Sequence, residues 1–229
     1  MNLIKKLPIP VSGLILASLS LGNLLQNIHP SLRFLFGAIG IIFLILILLK
    51  VVLYPQLIKD DFKNPVIASS SGTFSMSLMI LSTYLMPFMP GISYTIWIMG
   101  IVLHILLIIY FTYHFIVHNF DISNVYPSYW IVYVGITMAA ITATVHGIHE
   151  ADFIFFIIGF ISMLVTTPLV IYRYVRYPNE SDMNKPLICI FTALFSILIV
   201  GYLNSAESIS YEFLMALYLI ACVCYIFAL

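Results

Sequence analysis

The chain has 229 residues, of which 62% are hydrophobic and only 8% are charged, and its mean hydropathy is +1.11. A soluble domain of this length carries about 25% charged residues, so this composition excludes a globule with a polar coat in water. The nine basic and nine acidic residues cancel, which excludes the basic face that nucleic-acid binding requires.

Eight long apolar segments follow one another along the chain, each close to the ~20 residues that cross a bilayer as a helix. Only helices and closed barrels satisfy their backbone groups in lipid, and these segments lack the alternation of barrel strands. We therefore predict an all-α polytopic membrane protein with one transmembrane domain over residues 1–229. The segments, numbered spans 1 to 8, cover residues 10–27, 31–53, 66–86, 93–117, 128–147, 152–174, 186–204 and 210–229.

The basic residues are distributed unevenly between the two sides of the membrane. Eight of the nine lie at the N-terminus or in connections that leave even-numbered spans, and only Arg33 lies on the other side. By the positive-inside rule, both termini face the cytoplasm of a multi-pass protein, which we assign to the plasma membrane. The eight are Lys5, Lys6, Lys50, Lys59, Lys63, Arg173, Arg176 and Lys185.

Short connections join each odd span to the next even span, which predicts four helical hairpins. A proline opens each odd span, at Pro10, Pro65, Pro127 and Pro186. Proline suits the first helical turn even without a repeat, but the near-regular spacing favours parallel repeats about an axis along the membrane normal. The hairpins cover approximately residues 8–54, 64–118, 126–176 and 185–229.

Odd and even spans differ in composition. Even spans are almost purely aliphatic, whereas odd spans carry small and hydroxyl residues, as in the run Ser69–Ser77 of span 3. A helix rich in such residues packs closely or lines a cavity. We therefore predict that odd spans lie inside, around a pore axis, and that even spans lie outside.

A hydroxyl residue stands ten residues after each opening proline, about 15 Å along the helix and close to the bilayer midplane. Hydroxyl dipoles and apolar constrictions are both found in ion pores, and bulky Phe74 and Phe195 each precede one of these hydroxyls. We predict a pore lined by the hydroxyls and narrowed by the two phenylalanines; the alternative is that the hydroxyls bond neighbouring helices. The four residues are Ser20, Ser75, Thr137 and Ser196.

The N-termini of the odd spans gather at the cytoplasmic side in this topology. Each helix N-terminus carries partial positive charge and free N–H groups. Together with the basic residues on that side, they favour anions as the permeant species, although topology alone also requires those basic residues.

Short motifs at the starts of the odd spans are similar to a known family. Residues 8–14 (PIPVSGL) and 21–25 (LGNLL), then 64–69 (NPVIAS) and 127–136 (PSYWIVYVGI), resemble the first, third and fifth helices of the tellurite-resistance/dicarboxylate transporter family. This family includes bacterial TehA, the plant slow anion channels and yeast malate transporters. The resemblance spans the whole chain.

This resemblance implies hairpins around a central pore with odd helices inside. It implies transport of small anions or organic acids, such as a C4-dicarboxylate, tellurite, sulfite, a halide or nitrate, often by a homotrimer and with no cofactor. The family has ten helices, so we expect this chain to be a fragment lacking the last two or a pore left open on one side. The family's gating phenylalanine lies on the ninth helix, so the roles of Phe74 and Phe195 are our own inference.

Two groups of histidines and carboxylates leave open an intramembrane metalloenzyme, since such side chains bind metals. No H-E-x-x-H motif occurs, and the histidines are split between both membrane faces, so we expect no enzyme and no metal site. A non-transporting membrane scaffold is the other alternative. The groups are His114 and His118 with Asp121, and His146, His149, Glu150 and Asp152.

His104 stands deep inside span 4. Ionisable residues within the membrane usually serve function, which makes His104 a candidate for pH sensitivity. The alternative is a neutral histidine that bonds a neighbouring hydroxyl.

Overall fold

The structure, a computed structural model, describes residues 2–149, 151–178, 182 and 184–228. All regular elements in those ranges are helical. The chain divides into two compact units, Met1–Leu106 and Leu107–Leu229.

Within the described ranges, six helical segments are long and apolar enough to cross a membrane. They confirm the prediction of an all-α polytopic membrane protein, while the count of eight spans stays a prediction. Span 1 corresponds to a shorter apolar helix, Ile9–Leu25, and span 5 is interrupted. The six are Pro30–Leu53, Pro65–Leu85, Pro90–His118, Asp152–Arg176, Lys185–Ser205 and Tyr211–Ala228.

The first unit contains helices whose starts are marked by proline. Proline lacks the N–H that a first helical turn leaves unbonded, and it opens α3, α4, α5 and α7. A 3₁₀ turn at Ile9–Val11 leads into α2. The helices are α1 (Asn2–Lys6), α2 (Ser12–Leu25), α3 (Pro30–Leu53), α4 (Pro55–Asp61), α5 (Pro65–Ser70), α6 (Gly72–Leu85) and α7 (Pro90–Phe111), which continues into the second unit.

Glycines allow α2, α3 and α6 to approach closely. A side chain at Gly22 or Gly37 would collide with the ring or hydroxyl of Tyr84, which lies in the space that these glycines leave. The Tyr84 hydroxyl donates a 2.6 Å hydrogen bond to the Leu19 carbonyl oxygen. In lipid, such close packing of small residues holds helices together where the hydrophobic effect does not.

The second unit mixes α-helices with tighter and wider turns. The end of α7 widens into a π-helix at Thr112–His118, and 3₁₀ turns occupy Ile122–Asn124, Thr144–His146 and Lys185–Cys189. The helices are α8 (Ser128–Tyr133), α9 (Thr137–Ala143), α10 (Asp152–Arg176), α11 (Ile190–Ser205) and α12 (Tyr211–Ala228).

Span 5 is divided between α8 and α9 because its backbone tightens at residues 134–139. The amides of Thr137, Met138 and Ala139 donate to carbonyls three residues earlier, which is the 3₁₀ pattern. The backbone groups therefore stay bonded although the α-helix is broken. Hydropathy carries no record of this change in winding, so the sequence predicted one continuous helix.

Candidate functional site

Burial separates span 3 from the even-numbered spans. Pro65–Leu85 is 83% buried over its most apolar stretch, against 28% for both Pro30–Leu53 and Asp152–Arg176. The residues of α9 are also mostly buried, whereas odd span 7, Lys185–Ser205, is only 28% buried. The predicted contrast between odd and even spans is therefore seen for spans 3 and 5 and not for span 7.

The four predicted hydroxyls stand in different surroundings. Ser75 and Thr137 are buried, Ser20 is half-buried and Ser196 is exposed at the protein surface. The Ser196 hydroxyl donates to the Thr192 carbonyl on its own helix at 2.9 Å. The pore-lining role of all four stays a prediction.

Ser75 is bonded to the histidine that the sequence singled out. Its Oγ lies 2.7 Å from Nδ1 of His104 and 2.9 Å from the Gly72 carbonyl oxygen, and the His104 side chain is fully buried. A hydroxyl has one proton to donate. When that proton goes to Gly72, the His104 Nδ1 must carry a proton and donate to Ser75. His104 therefore has a hydroxyl neighbour, as the alternative required, and its pH sensitivity stays a prediction.

Thr137 fits against two glycines on neighbouring helices of the second unit. A Cβ atom added at Gly159 of α10 would collide with its Oγ1, and one added at Gly201 of α11 would collide with its Cγ2. The buried Oγ1 has no hydrogen-bond partner among the described residues. Thr137 therefore fills the contact between α9, α10 and α11, and its hydroxyl can still bond a further partner.

The two predicted constriction residues differ in exposure. Phe195 is buried, whereas Phe74 is half-buried. Every other residue from 68 to 83 is buried, so Phe74 is the one side chain of this stretch that stays partly exposed. The sequence did not distinguish the two phenylalanines.

The first histidine group is engaged by the backbone. Nδ1 of His114 lies 3.1 Å from the Tyr110 carbonyl and Nδ1 of His118 lies 2.9 Å from the Tyr113 carbonyl. The Asp121 carboxylate accepts bonds from the amide and hydroxyl of Ser123. The hydroxyl bond first, and then the amide bond, holds the pKa of Asp121 below its usual value.

In the second group, Oδ1 of Asp152 accepts from the Phe153 amide, and Glu150 lies outside the described residues. Over the described ranges, no group of three or more histidine, cysteine, aspartate or glutamate side chains is arranged to hold a metal ion. The cluster that the metalloenzyme alternative would need is therefore not seen in this part of the chain.

Comparison with known families gives one assignment. A family model described as voltage-dependent anion channel matches residues 7–229, nearly the whole chain. The chain belongs to the voltage-dependent anion channel family. This membership confirms the resemblance drawn from the starts of spans 1, 3 and 5. The chain is therefore a multi-pass membrane protein of an anion-transport family, whose members are channels rather than enzymes. No individual curated protein matches the chain.

In this anion-channel chain, Arg33 is the single basic residue outside the predicted cytoplasmic side, and it lies in the first unit. The Arg33 guanidinium donates to the Gln26 side chain at 2.9 Å and to the Thr83 carbonyl at 2.8 Å. It also lies 4.7 Å from the Tyr84 ring centroid. Arg33 thus ties α3 to both α2 and α6, which explains its departure from the charge distribution by local bonding.

Two buried cations stand near the ends of α3 and α10. The sequence indicated them only as markers of membrane orientation. Lys50 and Arg173 are 4% and 2% exposed. Each stands in the pattern of a basic residue, three residues, tyrosine and proline: Lys50 before Tyr54-Pro55, and Arg173 before Tyr177-Pro178. This pattern is about one helical turn long and occurs in two hairpins. A search for internal repeats would have found it and pointed to these two cations.

Proposed function

We propose that the chain passes small anions or organic acids across the membrane through a pore lined by the odd-numbered spans. The observation that carries this proposal is the hydroxyl-rich span 3, which is buried among helices of a chain that belongs to an anion-channel family. A lipid-facing helix needs no hydroxyls, whereas a helix beside an ion path uses them as dipoles without fixed charge.

Weak, uncharged binding suits conduction, because an ion must leave each position as readily as it reaches it. Ser20, Ser75, Thr137 and Ser196 are the proposed lining hydroxyls. The unpartnered Oγ1 of Thr137 supports this role, since a buried donor without a partner is stabilised by an anion or a water that accepts its bond.

Phe74 and Phe195 are the proposed constrictions, and the partial exposure of Phe74 supports the first more than the second. An apolar ring between hydroxyl positions blocks ions by excluding water. Movement of such a ring would then gate the path.

His104 is the proposed pH-sensitive residue. Its bond to Ser75 links an ionisable ring to a lining hydroxyl, and an added proton would bring positive charge close to the anion path. Histidine is the side chain that ordinarily changes charge between pH 5 and 8.

The plasma membrane, a cytoplasmic N-terminus and a homotrimer complete the proposal. Eight of the nine basic residues support the orientation, and the resemblance to a family of frequent trimers supports the assembly. Halides, nitrate, sulfite, tellurite and C4-dicarboxylates are the substrates to compare.

The test is anion efflux from liposomes that contain the purified protein, with protein-free liposomes as the blank. We expect at least one of chloride, nitrate, sulfite, tellurite or malate to leave at a rate proportional to the protein present. Ser75→Leu should reduce that rate at least tenfold, because a bulky apolar group replaces the hydroxyl. Ser31→Leu, at an exposed position, is the matched control. Absence of flux for all five anions would contradict the proposal.

A further inference from the structure

We infer that Lys50 and Arg173 are equivalent positioning residues, which hold the cytoplasmic starts of spans 1 and 5 and so set how readily anions reach the pore from that side. The role in transport rests on the proposed function.

Lys50 bonds two segments that are far apart in sequence. Its Nζ donates to the Leu7 carbonyl oxygen at 2.7 Å and to Oδ2 of Asp61 at 3.0 Å. Leu7 lies just before the 3₁₀ turn that opens span 1, and Asp61 ends α4. One buried ammonium therefore fixes the segment that leads into an odd span to the end of the even span of the same hairpin.

Arg173 makes the corresponding attachment in the second unit. Its Nε donates to the Ser123 carbonyl oxygen at 3.1 Å. Its guanidinium carbon lies 4.2 Å from the ring centroid of Tyr126 and 5.2 Å from that of Tyr174. Ser123 and Tyr126 precede Pro127, which opens span 5, so this buried cation also holds the segment leading into an odd span.

The two residues hold the same place in their hairpins. Each stands three residues before the end of its helix, α3 or α10. Each backbone carbonyl accepts a 2.8 Å bond from the tyrosine that caps the helix, Tyr54 or Tyr177. Those tyrosines have similar backbone angles, with φ −135° and ψ 53° for Tyr54 and φ −127° and ψ 72° for Tyr177. A proline follows each one, so helix end, cap and cation recur together.

Both attachments place a charged side chain away from water, where it bonds a backbone carbonyl oxygen. A buried charge is unfavourable unless it is paired and hydrogen-bonded. An ordinary signal for membrane orientation needs only a basic residue in water, as at exposed Lys59 and Arg176. The burial of Lys50 and Arg173 therefore goes beyond what topology requires.

The held segments form the first turns of spans 1 and 5. The amides of Val11 and Trp130 donate there to the carbonyl oxygens of Pro8 and Pro127, at 3.1 and 3.0 Å. Releasing either segment would fray this turn and move the cytoplasmic mouth of the proposed pore, so anions would enter less readily from that side, with less effect on the path beyond it.

The test compares each buried cation with an exposed one nearby. Lys50→Met is paired with Lys59→Met, and Arg173→Met with Arg176→Met. In oriented liposomes we expect the two buried-site variants to raise the half-saturating cytoplasmic anion concentration at least fivefold, with less than a twofold change in maximal rate. The exposed-site variants should change it less than twofold. Lys50→Arg keeps a charged donor, so its half-saturating anion concentration should stay close to that of the wild type.

Hydrogen exchange gives a readout independent of transport. The amides of Leu7, Ile9 and residues 11–13 should exchange at least tenfold faster in Lys50→Met, and those of residues 123–126 and 128–130 in Arg173→Met. If Lys50→Met does not fold, Lys50→Met with Asp61→Asn removes the unpaired carboxylate and carries the test. Equal effects of buried and exposed variants, or unchanged exchange, would overturn the inference. If the wild-type protein carries no flux but exchange changes as expected, the positioning bonds stand and the proposed function fails.

Discussion

Nδ1 of His104 lies 2.7 Å from Oγ of Ser75, and both side chains are buried in the first unit. The Ser75 hydroxyl also donates to the Gly72 carbonyl oxygen. Because it has one proton, Nδ1 of His104 must then be the donor in the bond between the two side chains. An extra proton on His104 leaves its ring able only to donate, so Ser75 must then act as the acceptor.

This bond predicts that His104→Ala removes the pH dependence of anion flux between pH 5.5 and 8. In the wild type, flux should rise several-fold on acidification, because an imidazolium adds positive charge beside a lining hydroxyl. Efflux from liposomes across this range checks it. His29→Ala, at an exposed position, should keep the wild-type profile. An unchanged profile in His104→Ala would show that the residue serves only to bond Ser75.

The junction at Thr137 predicts a specific rescue. Gly201→Ala should lower stability by about 1–3 kcal/mol through overpacking, because the new methyl collides with Cγ2 of Thr137. Thr137→Ser removes Cγ2 and should restore Gly201→Ala but not Gly159→Ala, whose methyl meets Oγ1. Thermal unfolding in detergent measures this. Gly91→Ala, which meets nothing within 4 Å, is the control, and rescue of both variants by Thr137→Ser would contradict the geometry.

Phe74 is the next position to test. Phe74→Ala should raise maximal anion flux several-fold, because it removes the partly exposed ring of the otherwise buried stretch 68–83 and with it an apolar constriction of the proposed pore. Phe88→Ala, at a ring that is 67% exposed, should leave flux within twofold. A lower or unchanged flux in Phe74→Ala, with normal thermal unfolding, would exclude Phe74 as a constriction.

Asp121 gives a prediction outside the membrane-spanning segments. The bonds from Ser123 hold its pKa below the ordinary value of 3.8. Its stabilising bonds are therefore complete above pH 3.8 and are lost as pH falls through the lower, folded-state pKa. Ser123→Ala should move the titration midpoint of Asp121 upward, as followed by NMR of its carboxyl carbon. Asn119→Ala should leave the midpoint in place, and an unmoved midpoint in Ser123→Ala would contradict the assigned cause.

Hydropathy and charge predicted the helical membrane fold because lipid imposes one solution on a long apolar segment. They did not predict the break in span 5 at residues 134–139, since α and 3₁₀ turns use the same apolar residues. The ten-residue spacing from proline predicted four equivalent hydroxyls. Equal spacing along the chain does not give two helices equal surroundings, so Ser75 is buried while Ser196 is exposed.

The sequence predicted only part of the candidate site, because it does not show which distant residues meet. The sequence identified Ser75 and His104 separately, but only the fold shows that they are bonded. Lys50 and Arg173 were counted as cytoplasmic charges because sequence does not distinguish a cation in water from one buried against a carbonyl.

Each buried cation joins the end of a single hairpin to a segment that immediately precedes or follows that hairpin. Lys50 reaches back to Leu7 and forward to Asp61, and Arg173 reaches back to Ser123. During synthesis, all of these residues leave the ribosome before the next pair of spans is complete. A newly inserted hairpin can therefore be closed at the end where its chain enters and leaves while translation continues, and later hairpins then assemble against a finished one.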